Sequence, residues 1–249
     1  MARRYDSRTT IFSPDGRLYQ VEYAMEAINH AGTVVGVLAS DGIILCAEKQ
    51  QTSKLLDKSL EGEKIYEINS NIISGVAGIT SDANLLVNEG RMIAQQYLYK
   101  YDSDIPVEQL VRRICDIKQG YTQFGGLRPF GTSFLIAGWD PIIGFQLYQT
   151  DPAGNYSGWK AACIGENNGS AQSLLKQEYK SDDDTPLSMD SAFELICKVI
   201  GKTIDSSKLT SDNLEFSSLT LVDGVPKVSM FSTTQVDDLL KKYSVENTA

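Results

Sequence analysis

The chain has 249 residues, of which 42% are hydrophobic, and it carries a formal net charge of −9 at pH 7. This length suits one large domain or two small ones, and the lack of any Pro/Gly/Ser-rich linker favours one domain. The acidic balance argues against nucleic acid as a partner, and the lack of an apolar signal segment or a bilayer-spanning run argues against a membrane.

The amino-terminal segment predicts an arm, a turn and a helix. A polar, β-branched run from Tyr5 to Ser13 precedes the turn residues Ser13-Pro14-Asp15-Gly16. From Leu18 to Ile28, apolar residues recur at intervals of three and four, which is the spacing of one helix face. Burying the four large members of this stripe would contribute on the order of 6–10 kcal/mol. They are Leu18, Val21, Met25 and Ile28.

Two strand pairs and two helices are predicted in the first half of the body. Ser40-Asp41-Gly42 is a hairpin signal flanked by apolar, β-branched runs. The four strands are expected at 34–39, 43–47, 65–68 and 72–77. Thr80 or Ser81 would then cap a helix through about Tyr99, and Pro106 would be the first residue of the next helix. The inward residues of the first of these helices would be Leu85, Leu86, Ile93 and Tyr97.

The second half of the body also mixes strands and helices. Strands are expected at 133–137, 144–149, 159–164, 216–222 and 227–231. A turn at Asp151-Pro152-Ala153-Gly154 separates two of them. Helices are expected at 170–179, 188–204 and 234–243. Runs of strands alternating with pairs of helices indicate an α+β fold, in which helix layers cover stacked antiparallel sheets.

The cysteines and the single histidine limit the chemistry that the chain can perform. Cys46, Cys115, Cys163 and Cys197 lie far apart in apolar stretches, which is typical of reduced, buried thiols in an intracellular protein. His30 and these scattered cysteines give no zinc-ligand spacing, and no serine lies in a nucleophile elbow. We therefore predict no metal, no cofactor and no serine or cysteine protease triad.

The most specific feature of the chain is a set of short motifs. At the amino terminus they are Tyr5-Asp6, Ser13-Pro14-Asp15-Gly16-Arg17 and Gln20-Val21-Glu22-Tyr23-Ala24. Later motifs span residues 78–83, 121–126, 128–131 and 151–154. In order and spacing they resemble those of proteasome alpha subunits, which form the outer rings of the 20S core particle. The resemblance runs from about Arg4 to about Lys241, and 4–12 and 154–161 are most similar to the alpha-type-4 branch.

This resemblance implies the four-layer αββα sandwich of amino-terminal-nucleophile hydrolases. Two antiparallel sheets would lie between helix layers, with an extra amino-terminal helix. We expect a single domain, 1–249, made of four parts. These are a gating arm and turn (1–17), an interface helix (18–30), the sandwich body (31–233) and a carboxy-terminal helix with a short tail (234–249). Many alpha-type-4 chains continue into a long charged carboxy-terminal tail, whereas this sequence ends at Ala249, soon after Lys241-Lys242-Tyr243. Contacts through such a tail are therefore not expected here.

Related beta subunits use an amino-terminal threonine as nucleophile, and its free amine is the base. Matching the Asp41-Gly42 hairpin to the beta-subunit pattern places Gly32 at the nucleophile position, Glu48 at that of the aspartate and Lys64 at that of the lysine. Gly32 has no hydroxyl, and the amide nitrogen of Thr33 is not basic. We expect no catalytic residue and a proteolytically silent chain. The alternative is a self-processing threonine hydrolase with Thr33 as nucleophile.

The resemblance also implies a gate at the axial pore. Tyr5, Asp6, Pro14 and Tyr23 match the family positions that cluster to hold this gate open. The loop Phe124-Gly125-Gly126-Leu127 resembles the one that narrows the channel beneath the gate. Without the resemblance, the first two residues would be assigned to a frayed terminus and the loop to a simple glycine turn.

Lys64 lies in a Glu63-Lys64-Ile65 motif to which the resemblance assigns a docking role. In the family this lysine lines a pocket between neighbouring subunits, where its ammonium meets the carboxy-terminal carboxylate of an activator. A compact cation in a partly desolvated cleft suits a terminal carboxylate. The residues alone favour a solvated or strand-edge lysine instead.

The partners implied are neighbouring alpha subunits in a heptameric ring, beta-ring subunits, and regulatory particles or activators that bind through carboxy-terminal tails. Unfolded polypeptides would pass through in ATP- and ubiquitin-dependent degradation, in the cytoplasm and nucleus. The first helix would contribute Leu18, Val21, Met25 and Ile28 to the ring interface. A homo-oligomeric ring is a weaker alternative, because the alpha-type-4 similarity favours seven different subunits.

Overall fold

The computed structural model describes residues 10–49, 55, 64–180, 187–205 and 208–243. Within them, two five-stranded antiparallel sheets pack face to face, and helices cover the outer face of each sheet. The expected four-layer αββα sandwich is therefore confirmed, together with the extra amino-terminal helix. None of the helices in these ranges is long and apolar enough to cross a membrane.

The first sheet, sheet A, has the strand order β10-β9-β2-β1-β8. Its strands are β1 Val34–Leu38, β2 Gly42–Glu48, β8 Ala161–Ile164, β9 Leu214–Val222 and β10 Val225–Met230. All seven residues of β2 are buried, because this central strand is covered on both faces. Side chains alternate along a strand, so Ile43 and Leu45 face the other sheet, while Ile44 and Cys46 face the helices.

The second sheet, sheet B, has the order β3-β4-β5-β6-β7. Its strands are β3 Ile65–Asn69, β4 Ile72–Gly78, β5 Thr132–Asp140, β6 Gly144–Thr150 and β7 Tyr156–Gly158. The single strand expected at 159–164 is wrong. Residues 156–158 pair with β6 in sheet B, whereas 161–164 pair with β1 in sheet A, and Trp159 and Lys160 carry the chain across. Gly158, the last residue of β7, directly precedes the crossing.

The helices lie close to their expected positions, with different details at their ends. They are α1 Tyr19–Asn29, α2 Thr80–Tyr101, α3 Val107–Gln123, α4 Asn168–Glu178, α5 Met189–Thr203 and α6 Thr233–Lys242. Neither Thr80 nor Ser81 caps α2, because Ile79 is its N-cap residue, and Pro106 is the N-cap of α3 rather than its first residue. Leu85 is 52% exposed, since Leu86 occupies the inward face of α2.

Three hydrophobic clusters correspond to the three contacts between the four layers. One lies between the sheets, one joins α4, α5 and α6 to sheet A, and one joins α2 and α3 to sheet B. The four cysteines are free and buried within these clusters or beside them, as the sequence predicts. Burial raises the pKa of the Cys163 and Cys197 thiols to about 12, which makes them poor nucleophiles.

Gly78 allows β4 and β5 to approach closely just before α2. Its φ of +124° is a conformation that other residues rarely adopt, and an added Cβ would overlap the carbonyl oxygen of Gly131. The neighbouring Ile79 N–H donates to this same carbonyl oxygen at 2.9 Å. The start of α2 is thereby fixed against the segment that leads into β5.

Candidate functional site

A buried polar cleft lies at the start of β1, where the sequence comparison places the nucleophile position. The antiparallel pairing of β1 with β2 brings Thr33 opposite Glu48. The Thr33 N–H donates to Glu48 Oε2 at 3.2 Å, and the Thr33 hydroxyl donates to the carbonyl of Glu166 at 2.8 Å. Both Thr33 and Glu48 are almost completely buried. The threonine hydroxyl and amide are thus both engaged in holding the cleft together.

Lys64 reaches the same cleft from the residue before β3. Its Nζ donates to the Gly32 carbonyl at 2.7 Å, and its backbone N–H donates to Glu215 Oε2 at 3.0 Å. Burial lowers the pKa of the Lys64 ammonium to about 8, against the raising effect of the Glu48 and Glu215 carboxylates. Lys64 is therefore a partly buried cation at the start of the edge strand β3, so of the two placements that the residues alone favour, strand-edge fits and solvated does not.

Lys208 also contacts the cleft, and the sequence did not predict this. Its Nζ lies 3.0 Å from Glu48 Oε1, and this hydrogen bond raises the pKa of Lys208. The two residues are 160 positions apart, so no local spacing could reveal the contact. The Glu48 carboxylate is thus bound by one backbone amide and one ammonium, while Gly32 supplies only a carbonyl.

The turn before α1 is held by two hydrogen bonds between Ser13 and Arg17. The Ser13 N–H donates to the Arg17 carbonyl at 2.9 Å, and the Arg17 N–H donates to Ser13 Oγ at 3.1 Å. Pro14 lies exposed within this turn, and Tyr23 is half exposed on α1. The other two proposed gating residues, Tyr5 and Asp6, lie outside the described residues. The turn and helix therefore form a fixed base for whatever precedes them.

The apolar stripe of α1 is only partly buried. Val21 and Ile28 are buried, and Ile28 packs in the cluster between the two sheets. Leu18 is half buried, and Met25 is 37% exposed, so a fully buried stripe is wrong for this chain. Two of the four residues thus anchor α1 on its own domain, and the contacts of Leu18 and Met25 with ring neighbours stay a prediction.

The proposed constriction loop projects from the end of α3. Phe124 is the residue that ends this helix, and it is 64% exposed. Gly125 and Leu127 are also exposed, and Gly126 has a φ of +85°, which allows the chain to reverse. The loop therefore presents the apolar side chains of Phe124 and Leu127 at the surface.

Comparisons with known proteins identify the family of the chain. The family described as "Proteasome subunit" matches residues 28–219, and the N-terminal signature of the A-type proteasome subunits matches residues 5–27. The alpha type-4 proteasome subunit of Drosophila melanogaster is 56% identical over 244 residues, covering 98% of this chain and 92% of the fly protein.

Two further relatives cover almost the full length. The alpha type-4-A proteasome subunit of Arabidopsis thaliana is 55% identical over 250 residues, which is 100% of this chain and 98% of that protein. The probable alpha type-3 proteasome subunit of Schizosaccharomyces pombe is 53% identical over 245 residues, covering 98% and 97% of the two chains. By its fold, its amino-terminal signature and these identities, the chain belongs to the proteasome alpha-subunit family.

Proposed function

We propose that this chain is a non-catalytic structural and gating subunit of the outer alpha ring of the 20S proteasome. The observation that carries the proposal is the cleft at Gly32. In this proposal Glu48 and Lys64 take the carboxylate and lysine positions of the related hydrolases and Gly32 takes the nucleophile position, and the Gly32 carbonyl accepts a hydrogen bond from Lys64. Without a hydroxyl beside a free amine, the cleft cannot perform the threonine chemistry of that fold.

The geometry of Thr33 disfavours the self-processing alternative. Its hydroxyl already donates to the Glu166 carbonyl, and its nitrogen is an amide that donates to Glu48. Cleavage after Gly32 would also remove the turn and α1, whose Ile28 is buried between the sheets. The chain is better suited to keep this segment than to remove it.

The retained segment supports a role in controlling entry to the proteolytic chamber. The arm would lie across the axial pore when closed, and Tyr5, Asp6, Pro14 and Tyr23 would cluster to hold it open. The exposed tip at 124–127 would narrow the channel beneath. Ring neighbours, the beta ring and regulatory particles would be the partners, and the chain would serve ATP- and ubiquitin-dependent degradation in the cytoplasm and nucleus.

Lys64 would bind the carboxy-terminal carboxylate of a docking activator. Its ammonium is partly buried, and desolvation lowers its pKa to about 8, so an added carboxylate would stabilise its charged form. Glu48 is already bound by Lys208, which leaves the Lys64 ammonium with the Gly32 carbonyl as its described hydrogen-bond acceptor. A terminal carboxylate would therefore meet an ammonium with three N–H donors, one of which bonds the Gly32 carbonyl among the described residues.

We expect Lys64→Ala to weaken binding of an activator's carboxy-terminal peptide to assembled particles about tenfold, the effect of one lost charged hydrogen bond. Peptide titration of particles that differ only in this subunit measures it. Lys176→Ala, which removes an exposed lysine from α4, is the matched control and should bind normally. The amidated peptide should bind wild-type and Lys64→Ala particles equally weakly. Equal binding of the acid and amide peptides to wild-type particles would refute carboxylate recognition.

A further inference from the structure

A fully buried lysine lies between α3 and sheet B, close to the proposed constriction loop. Lys118 has no exposed surface. Its Nζ donates to the Thr132 carbonyl and to Thr150 Oγ1, each at 2.9 Å, and lies 4.7 Å from the centre of the Phe134 ring. Its hydrogen bonds therefore join the helix to the first residue of β5 and the last residue of β6.

The surroundings make this lysine costly to bury. Burial lowers the pKa of Lys118 to about 7, and the groups that oppose this shift are the Cys115 thiol on α3 and the Asp151 carboxylate in the turn after β6. An unbranched apolar side chain would fill the same space without desolvating an amine. The hydrogen bonds to Thr132 and Thr150, and the contact with the aromatic ring, are what a lysine adds there.

The bond to Thr132 closes the segment that contains the loop. Lys118 and Thr132 bracket residues 119–131, so one hydrogen bond connects the two ends of the excursion. A second anchor lies inside it, where Arg128 pairs with Asp82 of α2 through bonds of 2.6 and 2.7 Å. Asp82 also accepts from the Gly131 N–H at 3.0 Å, and these bonds hold the pKa of its carboxyl low.

The tip between these anchors is open. Phe124 is exposed, and a Cβ added at Gly126 would meet no atom within 4 Å. Among the described residues, a Cβ added at Gly125 would meet Thr10 Oγ1 at 3.9 Å, which places the tip beside the base of the arm. The loop is therefore fixed where it leaves and rejoins the body, and its tip is exposed where it projects.

We propose that Lys118 is a positioning residue that, with the Asp82–Arg128 pair, holds loop 124–127 in place and so limits the width of polypeptide that passes. The inference rests on the proposed function, in which this loop narrows the channel. Lys118 touches no substrate. It acts through the segment that it closes, and the loop tip supplies the surface that substrates meet.

The first test measures directly how firmly the loop segment is held. In assembled particles, Lys118→Met should raise amide hydrogen exchange of residues 124–131 about tenfold, because the bond to Thr132 that closes the segment is lost together with the supporting bond to Thr150. Thr150→Val removes the acceptor of one Lys118 bond and of the Phe134 N–H but keeps the bond to Thr132, so it should raise exchange less. Thr150→Ser, which keeps the hydroxyl, should leave it unchanged. Lys176→Met on α4 is the control for losing a lysine. Unchanged exchange in both Lys118→Met and Thr150→Val would overturn the proposal.

The second test separates positioning from simple stabilisation. It uses particles that lack residues 1–10 of this subunit, and it compares hydrolysis of unfolded casein with that of a short fluorogenic peptide. Lys118→Met should raise the ratio of casein hydrolysis to peptide hydrolysis about twofold. The reason is that one of the seven loops around the channel becomes easier for the wider casein chain to displace. A ratio unchanged despite faster exchange would mean that Lys118 only stabilises the fold, which also overturns the proposal.

Gly125→Phe distinguishes a failure of this inference from a failure of the proposed function. The added ring would project from the open tip, so it should lower the casein-to-peptide ratio if the loop lines the channel. Gly169→Phe, at an equally open glycine on α4, should not change it. No effect of Gly125→Phe would refute the channel-lining role itself, whereas an effect here with none in Lys118→Met would refute only the positioning role.

Discussion

Removing residues 1–10 of this subunit is expected to raise the basal peptide hydrolysis of the assembled particle severalfold. The arm would lie across the axial pore in the closed state, so shortening it opens a path without an activator. Hydrolysis of a short fluorogenic peptide by purified particles measures the effect. Addition of an activator should then stimulate the shortened particles less than the wild type, because part of the opening has already occurred.

The deletion ends just before Ser13, the first buried residue of the described structure. Ser13 is buried and bonded to Arg17, so a chain that starts at Ile11 keeps the turn and the packed base of α1. Assembly should therefore be retained, and native gels check it. Removing residues 244–249 instead is a control at the other end of the chain, and it should leave basal hydrolysis unchanged. Unaltered hydrolysis in fully assembled arm-deleted particles would rule out a gating role for this arm.

Gly78→Ala is expected to cause a large loss of stability, although it adds only one methyl group. Its φ of +124° would strain an alanine, and the new Cβ would overlap the Gly131 carbonyl. Strain and overlap together should cost roughly 2–6 kcal/mol. The melting temperature of the particle and incorporation of the variant in competition with the wild-type chain measure this loss.

Two other glycines separate the causes of that loss. Gly224 has a φ of +78° but open space around it, so Gly224→Ala should show backbone strain alone, roughly 1–2 kcal/mol. Gly169 has open space in a helix and no positive φ, so Gly169→Ala should be neutral or slightly stabilising. If Gly78→Ala destabilised no more than Gly224→Ala, the close approach of β4 to residue 131 would not be a real constraint.

Local patterns predicted most of the elements because each strand or helix carries its own periodicity. The hairpin at residues 40–42 and the helix from Ser188 both lie within a residue or two of their expected positions. Errors arose where a distant contact decides the outcome. Leu85 and Leu86 are adjacent and both apolar, so periodicity alone does not tell which of them faces inward. Packing against the sheet buries Leu86 and leaves Leu85 exposed. Likewise, only the pairing partners of β7 and β8 show that the chain changes sheets near Trp159.

The candidate site was predicted by resemblance rather than by pattern. Gly32, Glu48 and Lys64 lie close together, although they come from three separate segments. Lys208 and Lys118 could not be found in this way, since an isolated lysine on a chain this charged usually lies in solvent. Their burial follows from tertiary contacts with Glu48 in one case and with Thr132 and Thr150 in the other.

The intact mass of this subunit, released from hydrolysis-competent particles, tests the non-catalytic role most directly. A retained amino terminus, apart from loss of Met1 or acetylation, is the predicted result, because Gly32, which we assign to the nucleophile position, has no hydroxyl to expose. Native mass spectrometry of the same particles should place the chain among different ring neighbours. A chain that begins at Thr33 in active particles would contradict the non-catalytic assignment and establish the self-processing hydrolase instead.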